Sequence, residues 1–471
     1  MKIKFIALML MSSVFLHAQD FFKYTISKPY CVLNFMETAI GSPGTSSTLK
    51  KFIDEKTATD AGFNTLCENF SKITLHYNIS RDGFPESRNQ NGSTYNILAM
   101  NAVNAKDLSD FKIKCMGLLP LNDNQELFAV LSEAEKVYDR IIWNVYRKDL
   151  EKQRTALAKF TKFNTETFTA FATFYQTSWT NDIPLQVALY PIPGKTGSTT
   201  ATPHVNSLCV GVLTGETDYV SRNGVVLHEM CHILFNEQSA EVQNRIEGYF
   251  TQNPSPYAKI AYSFLDESLA TALGNGWTYK KSTGKEDETN WYNNTAIDGF
   301  AKAMYPAINQ YLDAKKPIDK EFIDNAVTAF ADKFPKSLYD YEISMNGLML
   351  YTEFEDNKLI RTDLRKQFRV AGLSISSPIL HSYSLESMES SNVSQMFIIN
   401  QKHQEILIKL KEIFPEISNF NYAGKAENLA FIDKKGRTVI MMFLTDMNEL
   451  KPQLQKMKEA RYFDPATVIQ K

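Results

Sequence analysis

The residues best suited to chemistry lie in a short segment, residues 225–234, which reads VVLHEMCHIL. Its two histidines, His228 and His232, are four residues apart, so on a helix their imidazoles project from the same face. Two imidazoles at that spacing can fill two corners of a tetrahedral zinc site that keeps one position open for water. Glu229 is offset by one residue and can act on that water as a general base. The spacing therefore predicts a hydrolytic zinc centre.

The surroundings of this motif favour a functional interpretation. Only 7 of the 471 residues are histidines, so a chance pair at this spacing around a glutamate is uncommon. Glu229 is the single charged residue between positions 225 and 235, which indicates a buried helix. The alternative is a metal-free helix whose two histidines are hydrogen-bonded core residues. Cys231, between the histidines, is expected to be a small buried side chain and not a ligand.

A zinc site of this kind needs a third protein ligand. The metzincin continuation would place a glycine at position 235 and a histidine at 238, where the chain has Phe235 and Gln238. Further along, a stretch that resembles a helix ended by glycine carries two adjacent carboxylates, Asp266 and Glu267. Glu267 follows the second histidine by 35 residues, which is enough for a return segment between two helices. We predict Glu267 as the third ligand, with Asp266 as its rival and a helix-surface carboxylate as the alternative.

The histidine motif and the later glutamate together resemble the gluzincins, the thermolysin-like and aminopeptidase-like zinc metallopeptidases. The resemblance covers residues 220–275 and implies that His228, His232 and Glu267 bind one Zn²⁺ per chain, with Glu229 as catalytic base. It assigns no branch of the family. A threonine stands where thermolysin-like enzymes have an aspartate four residues after the ligand glutamate, and a Gly-Ala-Met-Glu-Asn-type exopeptidase motif is lacking.

The resemblance also implies groups that contact the substrate. An edge strand before the motif helix should hold the substrate backbone, and residues 206–212 are the candidate, with Asn206 as a substrate-binding residue. The oxyanion that develops during hydrolysis needs a further donor. Tyr305, in a predicted helix over residues 296–312, is the candidate catalytic donor, with a core role as its alternative. His381 is a second candidate.

Periodicity divides the chain into helical and mixed parts. Apolar residues at three- and four-residue spacing predict helices over 107–179, and alternation predicts strands at 185–191 and 204–212. Residues 218–352 are predicted to be mainly helical. The predicted fold is α+β and helix-rich, a zincin-like domain with a small antiparallel or mixed sheet. Its divisions are a signal peptide (1–18), an N-terminal helix-rich region (19–180), a zincin-like catalytic region (181–370), a serine-rich linker (371–394) and a C-terminal βαββα domain (395–471).

The N-terminus predicts export. A start with Lys2 and Lys4 is followed by an apolar run of about 12 residues, too short to span a bilayer, and then by Ala18 as the expected cleavage point. The mature chain is expected to be periplasmic or secreted, with no membrane span. Lys and Arg number 51 against 53 Asp and Glu, so there is no basic excess to bind nucleic acid.

Five cysteines, an odd number without a C-x-x-C spacing, leave at least one thiol unpaired. One or two disulfides are possible in an oxidising compartment, with Cys31, Cys67 and Cys115 as the expected participants. Cys231 is the expected free thiol.

Together these features predict an exported zinc metallopeptidase whose partner is a peptide or protein substrate. The alternative is a non-catalytic envelope binding or interaction protein that keeps a zincin scaffold. The substrate, the choice between endo- and exopeptidase, and the oligomeric state stay open.

Overall fold

The computed structural model describes residues 21–85, 88, 92–180, 182–400, 402, 404–422 and 424–464. Over these residues the chain is α+β and rich in helix, with two small sheets of mixed strand direction. The predicted fold class is confirmed at that level. The predicted signal peptide, residues 1–18, lies outside the described residues. In the described ranges, no helix combines the length and the apolar character that crossing a bilayer demands.

The first part of the chain is a layer of helices, as the periodicity of residues 107–179 predicts. Several begin at polar caps: the side chain of Ser27 accepts a hydrogen bond from the backbone N–H of Tyr30, and that of Asp107 from Asp110. The helices are α1 (Lys28–Ala39), α2 (Ser47–Thr57), α3 (Ala61–Lys72), α4 (Thr94–Val103), α5 (Leu108–Lys114), α6 (Leu121–Tyr138), α7 (Asn144–Leu157) and α8 (Thr161–Tyr175).

A four-stranded sheet separates this layer from the helix that carries the histidine motif. Val187 and Leu189 belong to the hydrophobic core that also contains the motif helix, whereas Ala188 and Tyr190 pack against the N-terminal helices on the other face of the sheet. Both faces are covered, so the central strands are mainly apolar. The strands are β1 (Phe22–Thr25), β2 (Leu185–Ile192), β3 (Ala201–His204) and β4 (Ser207–Leu213), in the order β1-β2-β4-β3, with β3 antiparallel to β4 and the other pairs parallel.

The strand predicted over residues 206–212 is present as β4, but it is not an edge strand, and the continuous strand predicted over 204–212 is wrong. The chain turns at Val205 and Asn206, so His204 ends one strand and Ser207 begins the next. Strand β4 is then paired on both sides, with β2 and with β3, and its backbone hydrogen-bonding groups are used inside the sheet. Strand β3 is the edge on this side.

The histidine motif lies on a long helix whose first turn is capped by Asp218, which accepts from the backbone N–H of Ser221. Residues 226–235 are all buried, as the uncharged run predicts. The helices of this layer are α9 (Tyr219–Asn236), α10 (Ala240–Gln252), α11 (Ala258–Ala270), the π-helix Thr271–Trp277 that continues α11, α12 (Thr278–Thr283), α13 (Thr295–Asp313) and α14 (Lys320–Lys333).

A second sheet of five strands forms the C-terminal part, with an apolar core on each face. Met396 and Ile398 enter one core, and Phe397 and Ile399 enter the other. The strands are β5 (Gly347–Thr352), β6 (Gly372–Ser376), β7 (Ser394–Asn400), β8 (Glu427–Ile432) and β9 (Thr438–Leu444), in the order β6-β5-β7-β9-β8 with only β8 antiparallel; the helices are α15 (Tyr341–Ser344), α16 (Asn357–Gln367), α17 (Ser382–Ser390), α18 (Gln404–Ile413) and α19 (Leu450–Ala460).

The predicted βαββα order of the C-terminal residues is confirmed, but the sheet starts earlier than predicted. Residues 371–394, predicted as a linker, contain β6 and α17, and β5 ends a segment predicted as helical. Strand β6 pairs in parallel with β5 from Gly372 to Ser376. A serine-rich composition is typical of a loop. Strand β6 forms nevertheless, because β5 supplies the partners for its backbone hydrogen bonds and these do not depend on the side chains.

The five cysteines are all free thiols, and every one except Cys67 is buried. The disulfides considered possible among Cys31, Cys67 and Cys115 are therefore not formed, and the prediction that Cys231 is free is confirmed. Burial raises the pKa of the Cys31 thiol to about 12, as it does for Cys115. These side chains serve as small apolar groups of the core.

A buried ion pair fixes the hairpin between β8 and β9. Arg437 donates from Nε to Asp433 Oδ2 at 2.7 Å, and the two side chains are only 3% and 2% exposed. The Arg437 guanidinium also donates to the carbonyl oxygens of Met388, at 2.8 Å, and Ser391, at 2.7 Å. One cation thus joins the hairpin to the end of α17.

We expect Asp433→Ala to lower the free energy of unfolding by about 3–5 kcal/mol, because the guanidinium stays buried without its counter-charge. Urea unfolding followed by circular dichroism measures the change. The control is Asp54→Ala, which removes a partner from the Lys50–Asp54 pair, whose side chains are 34% and 56% exposed. That variant should lose less than about 1 kcal/mol. Equal losses in the two variants would contradict the structural role of the buried pair.

Candidate metal centre

Two adjacent helices bring together the three predicted ligands. His228 and His232 lie one turn apart on α9, and their Nε2 atoms are 3.1 Å from each other. Glu267, near the end of α11, places Oε2 at 3.7 Å from the Nε2 of His228 and at 4.0 Å from that of His232. The three ligand atoms lie within 4.8 Å of one another, a group that could hold a metal ion.

A glycine allows the two helices to approach this closely. A Cβ added at Gly274, in the π-helix after α11, would lie 2.5 Å from the Cα of His228 and closer still to its backbone nitrogen. The next residue, Asn275, places its side-chain oxygen 3.1 Å from Nδ1 of His228. The π-helical turn therefore supplies both the space for the first histidine and its hydrogen-bond partner. Such turns are frequent at functional sites.

The second histidine is oriented by a carboxylate. Nδ1 of His232 lies 2.9 Å from Oδ1 of Asp266, which accepts its hydrogen bond. Asp266, the rival ligand in the sequence, thus contacts the side of the imidazole away from Nε2. Ligand histidines usually donate the N–H of the other ring nitrogen to such an oxygen, and this partner fixes the ring and its tautomer.

The hydrogen bonds leave the inner face of the site with acceptors alone. Each Nδ1 donates to an oxygen, so in the neutral rings both Nε2 atoms of His228 and His232 carry lone pairs, and they face each other. Oε2 of Glu267 is buried beside them without a hydrogen-bond partner. Three converging acceptors are favourable only with a cation between them. Two imidazoles and a carboxylate are a donor set that suits zinc with one position left open.

The charges of the site also favour a cation between the ligand atoms. Burial opposes the charged form of His232, but Asp266 and then Glu267 raise the pKa of this imidazole to about 10. Burial also opposes ionisation of Glu267, but the adjacent imidazoles of His228 and His232 hold its pKa well below the usual range. Burial raises the pKa of Glu229, which is 6% exposed next to the histidines. A positive charge between the ligand atoms is therefore favoured, and a metal ion would supply it.

Two residues that lie beside the ligands were not predicted from the sequence. The ring of Tyr292 stacks on that of His228, with centroids 6.0 Å apart and planes at 17°. Arg369, from the segment before β6, places Nη2 at 3.4 Å from Oε1 of Glu267. Tyr292 follows α12 in a polar stretch without periodicity, and Arg369 lies far along the chain, so no spacing relative to the motif marks either residue.

The other predicted site residues contact different groups. Tyr305 packs edge-to-face on Trp291 at 5.1 Å, and the side chain of Asn206 donates to the carbonyl of Pro184 at 2.9 Å. His381 caps α17. None of the described contacts of these three residues is with the ligand group. The catalytic role of Tyr305 and the substrate-binding role of Asn206 stay predictions.

Comparison of the chain with models of protein families, with curated proteins and with solved structures finds no match. A function for this protein is therefore argued from the geometry and chemistry of its site.

We expect Gly274→Ala to remove the metal site, because the added Cβ meets the backbone of α9, which cannot rotate away. Overpacking of this kind costs about 1–3 kcal/mol or more. Zinc content by mass spectrometry and the melting temperature measure the two effects. The control is Gly248→Ala on α10, where the nearest atom to an added Cβ is 3.9 Å away. Full zinc content in Gly274→Ala would contradict the proposed close approach.

We expect Asp266→Ala to weaken zinc binding about 10- to 100-fold without removing a ligand, because it releases the ring of His232. Competition with a chromogenic chelator measures the dissociation constant. Glu241→Ala, a change at a carboxylate that is 84% exposed on α10, is the control and should bind zinc as the unmodified protein does. Loss of all zinc in Asp266→Ala would instead indicate that Asp266 is itself a ligand.

Proposed function

We propose that this protein is a zinc-dependent metallopeptidase that binds one Zn²⁺ per chain through His228, His232 and Glu267 and hydrolyses peptide bonds. The observation that carries the proposal is the set of three buried acceptor atoms facing one another, two Nε2 atoms and one carboxylate oxygen. Each imidazole has its other nitrogen engaged by an oxygen, as ligand histidines do.

The residues around the ligands supply what hydrolysis requires of the protein. When bound, zinc contributes Lewis acidity, which polarises a carbonyl group and makes a water molecule more acidic. Glu229 is buried next to both histidines and accepts the proton of the attacking water. The same carboxyl group can then deliver that proton to the leaving amine.

Glu267 has two oxygens with different roles. Oε1 lies beside the guanidinium of Arg369, and Oε2 faces the two histidines. Arg369 therefore holds the carboxylate in the orientation that presents Oε2 to the metal. Tyr292 also contributes: burial and then the nearby charge of Glu267 raise the pKa of its hydroxyl, and its ring covers His228. We infer that Tyr292 is better placed than Tyr305 to stabilise charge at the reacting carbonyl.

The basic start and short apolar run of the N-terminus support export, which would make the proposed enzyme periplasmic or secreted. Its substrates would then be peptides or proteins of that compartment. The alternative function, a non-catalytic binding protein on the same scaffold, differs from the proposal in its metal content and in its activity.

We expect Glu229→Gln to lower kcat about 10²- to 10⁴-fold while stoichiometric zinc stays bound, because the amide keeps the shape of the side chain but accepts no proton. Digestion of a peptide library followed by mass spectrometry measures the activity and also gives the cleavage positions. His228→Ala should lose both zinc and activity.

Two results would contradict the proposal. Unimpaired hydrolysis by Glu229→Gln would rule out this residue as the base. A purified natural-sequence protein that neither contains nor takes up one zinc ion per chain would rule out the metallopeptidase and favour the non-catalytic alternative. Glu241→Gln, at a carboxylate that is 84% exposed on α10, is the matched control for the base.

A further inference from the structure

A cavity of about 150 Å³ lies along the same helix as the proposed catalytic base. Ile233, which lines it, follows Glu229 by one helical turn on one face of α9, about 6 Å along the axis. Pro203 and Val205, at the end of edge strand β3, form another wall. The cavity therefore lies between the motif helix and the sheet edge, one helical turn beyond the proposed catalytic base.

An arginine with an unused donor lines this cavity. The guanidinium of Arg88 lies 3.5 Å from the centroid of the Phe235 ring. Its Nη2 donates to the backbone carbonyl of Phe235 and, at 3.3 Å, to the side-chain oxygen of Gln238. These contacts hold the guanidinium of Arg88 in place. Its Nη1 is buried and has no hydrogen-bond partner. Buried charged donors are normally satisfied, so Nη1 indicates a ligand with an acceptor.

A glutamine supplies the complementary acceptor. Gln243, also in the cavity wall, is only 2% exposed. Its Nε2 donates to the backbone carbonyls of Asn236 and Gln238, at 3.2 and 2.9 Å, which sets the orientation of the amide. Its Oε1 is buried and has no partner. Arg81 and Glu237 also line the cavity. Arg88 and Gln243 add a buried cationic donor and a neutral acceptor, the pair that suits a carboxylate next to a peptide N–H.

We propose that this cavity binds a carboxylate of the peptide substrate through Arg88, with Gln243 accepting a nearby N–H. The inference rests on the proposed peptidase function, because it defines the substrate class of that site. An extended peptide advances about 3.3 Å per residue, so the carboxylate belongs to a residue within about three positions of the cleaved bond. It is either an acidic side chain or the α-carboxylate at the end of the substrate.

Matched peptides separate these two sources. One set carries Glu or the isosteric Gln at each of three positions on both sides of the cleaved bond, and the other set ends in a free carboxylate or an amide. We expect kcat/KM to be about 10- to 100-fold higher for the carboxylate member of one set. Preference within the first set indicates an acidic side chain, and preference within the second indicates a terminal carboxylate. Equal kcat/KM values throughout would overturn the inference.

Variants connect the preference to the cavity. Arg88→Gln should bring the ratio of kcat/KM for the acidic and neutral peptides close to one, and Arg88→Lys should keep part of it. Because Arg88 also contacts Phe235, a second variant is needed that removes no contact. Val205→Glu, at a side chain 41% exposed on the cavity wall, adds a negative charge and should lower the same ratio. A ratio unchanged in both folded variants would overturn the proposal. Arg147→Gln, at an exposed arginine on α7, is the control.

Binding separates failure of this inference from failure of the proposed function. In fluorescence anisotropy, the zinc-loaded Glu229→Gln protein should bind a fluorescent acidic peptide more tightly than its neutral counterpart. The ratio of the two dissociation constants should be similar to the ratio of kcat/KM values expected above. If the natural-sequence protein cleaves no peptide but this binding preference is present, the peptidase proposal fails and the carboxylate site stands. Cleavage without any preference in binding or in kcat/KM leaves the peptidase and removes the carboxylate site.

Discussion

The candidate metal centre depends on a contact between two backbones. Gly274 of the π-helix lies against the backbone of His228, and Gly224 of α9 faces the carbonyl of Gly274, with an added Cβ only 3.0 Å from that oxygen. Two glycines at the crossing leave no side chain between the helices. The imidazoles of α9 can therefore reach carboxylate and amide groups of the facing segment. Larger residues at the crossing would separate the ligands and remove the convergence of their lone pairs.

One continuous helical segment supplies a ligand and both orienting groups. Asp266 and Glu267 lie on α11, and Asn275 lies eight residues further on. In a regular α-helix, eight residues would turn Asn275 by about 80° from the face of Glu267. The wider π-helical turn reduces that rotation. Asn275 can therefore contact the ring of His228 while the preceding residue, Gly274, packs against the backbone of α9. The irregular turn is thus required by the geometry of the site.

The sequence predicts those features that local spacing determines. Two histidines four residues apart identify the helix face, and an isolated carboxylate pair on a later apolar helix identifies the facing segment. Tyr292 and Arg369 could not be predicted, because tertiary packing alone brings them to the ligands. The turn at Val205 was missed because a valine at φ +56° gives no turn signal. Short parallel strands such as β5 and β6 also lack a distinctive period, since their neighbours and not their side chains define them.

The C-terminal sheet is coupled to the metal centre through one asparagine. Asn346, just before β5, donates to the carbonyl of Ser263 on α11 at 2.6 Å, and its side-chain oxygen accepts a hydrogen bond from Arg369. Its backbone carbonyl accepts from the N–H of Gly372, where β6 begins. The pairing of β5 with β6 and the position of Arg369 beside Glu267 are therefore fixed by the same residue. Moving this sheet would withdraw a guanidinium from a partly buried carboxylate, where charges are weakly screened. The C-terminal sheet thus helps to orient Glu267, the carboxylate of the candidate metal centre.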